Sequence, residues 1–394
     1  MEKLFERPIF FERNRVFRIY KGGLLFHDFF GDEAKDGNYP EEWVASSVRA
    51  MNLDSTNEKE GISKIKGTEL YLDEALEKYP REILGDCPKW DVLVKLLDSG
   101  IRLPMQCHPD REFAKRYFHS EYGKAEMWIV VATRENAKLF LGFNKKMNQE
   151  EFTKLVERSL TEKECMTECV NEIPVKKGDA YLIPGRTIHA IGYGCLILEI
   201  QEPSDLSVCP EYWCGDRRSA PYEMYMDLEP EIALKCFDYT LYGDAPVNMA
   251  RKLPRVKERT EHTLQEIIVN KEDTPFFAVN RVEVNGGTLS LTDSPAVYVI
   301  TEGEGVLHMK DGYEKRISKG DYFSASPVSG RLVRPRGFGA FGSLCVYASH
   351  VRLPKTSGPH AQEARPAAFL WQAGGNSRGF QAGGPFGSRQ AQVR

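Results

Sequence analysis

The chain has no uninterrupted apolar stretch of the roughly 18 residues that a membrane-crossing helix needs, and its opening residues, Met1 to Arg7, carry no apolar core of a secretory signal. It has no basic run that would track a phosphate backbone, and a net charge of -4 gives no electrostatic case for nucleic acid. Tight cysteine pairs of the kind that hold structural zinc are missing: Cys165 and Cys169 stand four apart, and Cys209 and Cys214 five apart. The nine cysteines are odd in number, and Cys107, Cys195, Cys236 and Cys345 sit singly among apolar neighbours, as small buried hydrophobes do in a reducing compartment. These absences set aside a membrane partner, a nucleic-acid partner and a disulfide framework. A cytoplasmic globular protein is the expectation.

What is present is an ordinary globular composition, 41% hydrophobic and 28% charged, over 394 residues. That length is more than one core usually fills, so the chain is expected to divide. Pro8 to Phe11 reads as an edge strand, Arg15 to Tyr20 alternates before Gly22-Gly23, and Glu42 to Ser47 alternates after Pro40. Asp73 to Gly85 has an acidic start and apolar residues at helical spacing, with Pro80 as a break. The apolar run Val92 to Leu97 and the turn Asp98-Ser99-Gly100 place a new strand from Leu103 to His108. A short helix over Asp110 to Phe118 follows, then strands over Glu126 to Ala132 and Lys138 to Gly142, and helix over 148–169 with Asn148 as its cap. Short strands punctuated by Gly and Pro resume over 170–201, a pattern of antiparallel sandwiches and barrels rather than of a doubly wound sheet.

The character changes at 211–255, where Trp213, Met224, Met226, Leu228 and Phe237 mix with acidic residues and prolines. Strand patterns return from Phe276 to Ala348. From Leu353 onward the chain is rich in Gly, Gln, Ala, Ser and Arg and lacks periodicity, so it cannot bury enough apolar surface to order itself. The expected organisation is mainly β: an N-terminal metal-binding domain over 1–215, a helical connector over 216–255, a second β domain without metal ligands over 256–350, and a disordered tail over 351–394.

Four residues carry the chemistry. Gln106 and His108 stand two apart, and in an extended strand such residues project from one face. Glu126 follows within Gly123-Lys124-Ala125-Glu126-Met127-Trp128, and His189 closes Lys177-Gly178-Asp179 through Pro184 to Ile188-His189. Two nitrogens and two oxygens suit a borderline divalent metal such as zinc, while iron, manganese and cobalt accept similar sets. Taken singly, each of the four reads equally well as a polar residue with a local partner. Lys319 to Pro327 repeats the first half of the His189 pattern without its histidine, as an internal repeat with one equipped half and one bare half.

The spacing of Gly178, Pro184 and His189 resembles the second motif of the cupin superfamily. Gln106-x-His108-Pro109-Asp110, then Gly123-Lys124-x-Glu126-x-Trp128, is similar to the first motif of the type I mannose-6-phosphate isomerases, and Glu199-Ile200-Gln201-x-x-Ser204-Asp205 to the segment after their histidine strand. The resemblance covers residues 8–210 and, more weakly, 256–350. It implies two cupin-type jelly-roll β-barrels, zinc held by Gln106, His108, Glu126 and His189, and isomerisation of mannose 6-phosphate to fructose 6-phosphate through an enediolate. A proton shuttle must then sit beside the metal, and Lys124 lies two residues from a ligand; a solvated strand-end lysine is its plainer reading.

Two departures stand out. Where the family has a serine for phosphate the chain has Pro104, which offers neither hydroxyl nor backbone donor, and where it has a catalytic arginine the chain has Cys209. Arg217 is the nearest replacement by sequence, with Arg218 and Arg186 as others, since clamping a phosphate is an arginine task. The alternatives are a cupin isomerase or oxygenase for a different substrate, phosphorylated or not, and a sugar-binding protein that kept the metal cage and lost turnover.

Overall fold

Two-residue periodicity decides which way each strand faces, and in the N-terminal half both directions lead to apolar cover. In the computed structural model, residues 4–52, 55–291, 295–309, 311–325, 330–333 and 344–350 are described, the last two segments and Leu289 by their backbone alone. The N-terminal strands are β1 (Ile9–Phe10), β2 (Arg15–Val16), β3 (Glu41–Val44), β4 (Leu93–Asp98), β5 (Glu126–Thr133), β6 (Lys138–Phe143), β7 (Val170–Pro174), β8 (Ala180–Ile183), β9 (His189–Ile191) and β10 (Cys195–Gln201). Antiparallel pairing orders six of them β2-β3-β4-β10-β5-β8, and three more form the sheet β7-β6-β9.

Leu96, Leu198 and Ile129 leave the six-stranded sheet on one face and join Val279, Val297, Val299 and Tyr322 of the C-terminal half in one core. Leu97, Ile197 and Val130 leave on the other face and meet Leu139, Leu141 and Ile191 of the three-stranded sheet. This explains why β4 and β10 are buried at every position, with no exposed polar face. Each fully buried leucine contributes about 1.5–3 kcal/mol on folding.

The C-terminal strands form a seven-stranded sheet in the order β1, Tyr322–Ala325, Ala296–Glu302, Leu344–His350, Ala278–Val284, Thr263–Val269, Arg255–Arg259, and a four-stranded sheet beside it. The edge strand expected near Pro8 therefore forms, but in the C-terminal sheet, with Ile9 opposite Ser324 and Phe10 opposite Phe323. The architecture is mainly β throughout; the sheets stack, and none closes on itself among the described residues. The tail from 351 lies outside the described residues. No helix among the described residues is long and apolar enough to cross a membrane.

Local signals place most helices. Pro80 splits the expected 73–85 helix into Leu72–Lys78 and Pro80–Leu84. Asp110 caps Arg111–Tyr117 by accepting the Phe113 N–H at 2.8 Å, and Asn148 with Glu151 forms a capping box on Gln149–Arg158. Helices Pro221–Tyr225, Pro230–Ala233 and Ala245–Ala250 occupy the expected connector, after the small hairpin β11 (Trp213–Cys214) and β12 (Arg217–Arg218).

Two expected strands shrink. Only Arg15–Val16 pairs out of Arg15 to Tyr20, because Arg18 gives its N–H to the Asn38 carbonyl and its carbonyl to the Asn38 side chain, each at 2.9 Å. The Leu103 to His108 strand is reduced to isolated bridges, Gln106 with His189 and Cys107 with Val208, in a segment where Pro104 and Pro109 supply no backbone donor.

Candidate metal centre

The face of the six-stranded sheet that turns towards the three-stranded sheet changes from apolar to charged along its strands. Leu97, Ile197 and Val130 are followed two residues along by Lys95, Glu199 and Trp128, which pair across β4, β10 and β5 in register. Trp43 of β3 extends the row opposite Lys95. Glu41 and Glu126, two residues from Trp43 and Trp128, lie on the same face. The result is a buried charged end to an otherwise apolar layer.

At that end His108, Glu126 and His189 bring three ligand atoms within 4.8 Å of one another, and all three residues are buried. The carboxylate lies between the rings: Oε2 is 3.1 Å from His108 Nε2, and Oε1 is 3.2 Å from His189 Nε2. His108 Nδ1 meets the Leu206 carbonyl at 2.9 Å and His189 Nδ1 meets the Thr187 carbonyl at 2.8 Å. A carbonyl only accepts, so each Nδ1 carries the proton and each Nε2 presents a lone pair. Burial, with Lys124 next in weight, holds the His108 ring down at about 3, and burial lowers His189 as well. Burial works to raise the Glu126 carboxyl, but Lys124 and the two imidazoles reverse it and hold it well below the usual carboxylate range.

This donor set fits a divalent metal on a specific ground. His189 Nε2 and Glu126 Oε1 are buried, have no hydrogen-bond partner, and face each other as two acceptors. Two lone pairs that close are tolerated where a cation lies between them. On the other side of the carboxylate, Lys124 Nζ fills that part, 2.7 Å from His108 Nε2 and 2.9 Å from Glu126 Oε2. Lys124 precedes β5 rather than lying in it, and its side chain is buried, which removes the solvated reading.

Gln106 exchanges backbone hydrogen bonds with His189, each at 2.9 Å, which makes them cross-strand neighbours on one face. Its Oε1 accepts from the Ser207 hydroxyl at 2.8 Å, with the Cys209 thiol at 3.7 Å. A cavity of about 160 Å³ reaches the centre's neighbours Gln106 and Lys124, though not His108, Glu126 or His189 themselves, and its walls also include Arg18, Lys95, Pro104, Glu199, Asp205, Cys209 and Glu223. Pro104 and Cys209, the two departures, both face it. Arg217 does not line it; that side chain is 45% exposed and is held in a fork by Glu223 at 2.7 and 2.8 Å. Arg186, at φ 72°, turns its N–H to the His108 carbonyl at 2.6 Å and its guanidinium to the carbonyls of Lys235 and Cys236.

The sequence reading missed Arg18, Glu41 and Lys95. Alternating charges run along the cavity: Asp205 to Arg18 at 3.0 Å, Arg18 to Glu41 at 3.1 Å, Glu41 to Lys95 at 3.7 Å, Lys95 to Glu199 at 3.4 Å and Glu199 to Lys124 at 3.6 Å. Burial pushes the Glu199 carboxyl up to about 7 in spite of Lys95 and Lys124, with Glu126 adding to the rise. A lysine inside the apolar run Val92 to Leu97 was the available signal, since charged residues are rarely buried without a purpose.

No known family profile matches the chain. Among curated proteins it is 32% identical over 207 residues to the "Probable mannose-6-phosphate isomerase GmuF" of Bacillus subtilis, a match over 51% of this chain and 58% of that protein. It is 25% identical over 351 residues to mannose-6-phosphate isomerase ManA of the same organism, over 86% of this chain and 95% of that one. Among solved structures, the mannose 6-phosphate isomerase of Bacillus subtilis superposes with a TM-score of 0.68 at 23% identity, over 87% of this chain and 99% of the other. A mannose 6-phosphate isomerase bound with zinc and yttrium superposes at 0.62 and 15% identity, over 88% and 100%. These likenesses establish the fold. By sequence and by fold, the chain is similar to the mannose-6-phosphate isomerases of Bacillus subtilis.

Proposed function

We propose that this chain is a metal-dependent aldose–ketose isomerase that interconverts mannose 6-phosphate and fructose 6-phosphate through an enediolate. The observation that carries the reading is the facing pair of buried acceptors, His189 Nε2 and Glu126 Oε1, at 3.2 Å, beside Gln106 and Lys124, which line a cavity. His108, Glu126 and His189 would hold the ion with Gln106 as a fourth donor, and zinc is favoured because one structural neighbour is bound with it. Such an ion supplies Lewis-acid polarisation of the sugar oxygens on which charge develops.

The remaining work falls to the chain's own groups. Lys124 Nζ, buried in the cavity wall, takes the proton from one carbon as the free amine and returns it to the adjacent carbon as the ammonium. Glu199 lies 3.6 Å from that ammonium and sets its position from below. Leu206 and Thr187 keep both imidazoles in one tautomer. Arg217, partly exposed and paired with the cavity residue Glu223, is assigned the place of the family's catalytic arginine.

The division into a metal-binding domain over 1–215, a connector over 216–255 and a second β domain from 256 belongs to the same reading, supported by all four ligands falling in the first span. So does a cytoplasmic location, supported by eight free cysteines among the described residues.

The test is a coupled assay of zinc-loaded protein on mannose 6-phosphate and on free mannose. Turnover of the phosphorylated sugar at the higher kcat/KM supports the reading. Turnover of free mannose alone moves the assignment to an unphosphorylated sugar, and turnover of neither leaves a binding protein.

A further inference from the structure

Three consecutive residues, Asp205, Leu206 and Ser207, each hold something at the site. The Leu206 carbonyl takes the His108 Nδ1 proton at 2.9 Å. The Ser207 hydroxyl donates to Gln106 Oε1 at 2.8 Å. Asp205 makes no contact with a ligand residue; its carboxylate receives the Arg18 guanidinium at 3.0 and 3.1 Å and the Met51 N–H at 2.8 Å. The loop that orients two metal-site side chains is thus tied at its first residue to the N-terminal segment.

Arg18 is built to hold that tie. Its backbone is fixed on both sides by Asn38. Its guanidinium meets Asp205 through Nη2, Glu41 through Nε at 3.1 Å and Asn52 through Nη1 at 3.1 Å, and it stacks over Trp43 at 5.3 Å. Glu41 is itself pinned by the Trp43 indole N–H at 2.6 Å and by the Tyr20 hydroxyl. A planar fork hydrogen-bonded to Asp205 and Asn52, with Glu41 at ion-pair distance from its Nε, has one orientation, which a lysine at the same place would not share. With a carboxylate on either side, the guanidinium carries no surplus charge with which to anchor a phosphate.

We propose that Arg18 is a positioning residue for the metal centre, fixing through Asp205 the loop that orients His108 and Gln106. The inference rests on the metal-site reading but not on the identity of the sugar. Groups that orient metal ligands typically change affinity by about 10- to 100-fold when removed.

The test is zinc affinity, measured by competition with a chromophoric chelator, on wild type, Arg18→Met, Arg18→Lys, Asp205→Asn and the Arg18→Met/Asp205→Asn double variant. Arg18→Met and Asp205→Asn should each weaken zinc binding by about 10- to 100-fold, and the double variant should be no weaker than the worse single one, since both cut the same tie. Arg18→Lys should keep the charge, lose the fork and fall between. Thermal unfolding of each variant, with and without zinc, separates a folded protein with weak metal from an unfolded one; if Arg18→Met does not fold, Asp205→Asn and Arg18→Lys carry the comparison. Affinities within about twofold of wild type in folded variants, or fully additive losses, overturn the inference. Wild-type protein that binds no zinc overturns the metal site and this inference together, whereas a zinc-binding wild type without isomerase activity overturns only the proposed reaction.

Discussion

The rings of His108 and His189 stand 4.7 Å apart, centroid to centroid, inclined at 50°, and the Glu126 carboxylate touches the Nε2 of each. Each ring is held from behind by a carbonyl of a neighbouring loop, so the gap between them is set by the backbone rather than by the side chains' own preferences.

Removing one ring should therefore empty the site without collapsing the fold. His108→Ala is expected to lower zinc from about one equivalent to a small fraction of one, as for a single site that loses a ligand. Metal analysis of dialysed protein checks this, and zinc retained at the wild-type level would show that the ligands lie elsewhere.

Lys124 should matter to turnover more than to metal. Lys124→Met removes the group assigned to proton transfer and should lower kcat by about 100- to 10,000-fold, the usual range for loss of a general acid–base group. Zinc should remain bound, because the lysine competes with the ion for the same electron pairs at His108 and Glu126. A kcat within threefold of wild type would remove Lys124 from the mechanism.

The buried charges give the protein a predictable acid response. Burial alone would raise the Glu41 carboxyl, but Arg18 and Lys95, helped by hydrogen bonds from Tyr20 and Trp43, hold it well below the ordinary value of 4.5. A carboxyl lowered on folding stabilises the protein above its unfolded pKa, and that contribution is lost as pH falls through and below it. Urea midpoints measured at about pH 6 and about pH 4 should therefore fall further for wild type than for Glu41→Gln, which has nothing left to protonate. At pH 6 the variant should already be weaker by about 3–5 kcal/mol, the cost of breaking a buried ion pair. Parallel loss in the two proteins would mean that Glu41 is not ionised in the native state.

The equipped half of the site was legible in the sequence because its residues sit in short, punctuated patterns: Gln106-x-His108, Lys124-x-Glu126, and His189 after a turn. Cap and break signals at Pro80, Asp110 and Asn148 also carried through to the structure. What the sequence could not display is pairing at a distance. Arg18, Glu41, Lys95, Glu199 and Asp205 meet only once β3, β4 and β10 are in register, and no local spacing announces that. The same holds for β1, which reads as an N-terminal strand and belongs to the C-terminal sheet. Arg217 is the arginine nearest in sequence to Cys209, whereas the arginine that touches Asp205 comes from residue 18.

Gly22 marks where that register leaves no room. A Cβ there would stand 1.7 Å from the Asp98 carbonyl oxygen, a backbone atom that cannot step aside. Asp98 in turn holds the N–H groups of Gly23 at 2.7 Å and Leu25 at 3.0 Å and the Arg134 guanidinium at 2.8 Å. Gly22→Ala should thus destabilise the protein by at least about 1–3 kcal/mol, the usual cost of overpacking. Thermal denaturation checks it, and an unchanged Tm would mean that the segment approaches Asp98 less closely.

The central claim is that the His108–Glu126–His189 centre makes this chain an isomerase. The most direct measurement is a zinc titration of metal-depleted protein, with mannose 6-phosphate conversion to fructose 6-phosphate followed at each addition. The account predicts no conversion without metal, a rise that ends at about one equivalent, as for a single site, and no rise at all in His189→Ala. Conversion by metal-free protein, or none by fully loaded wild type, would contradict it.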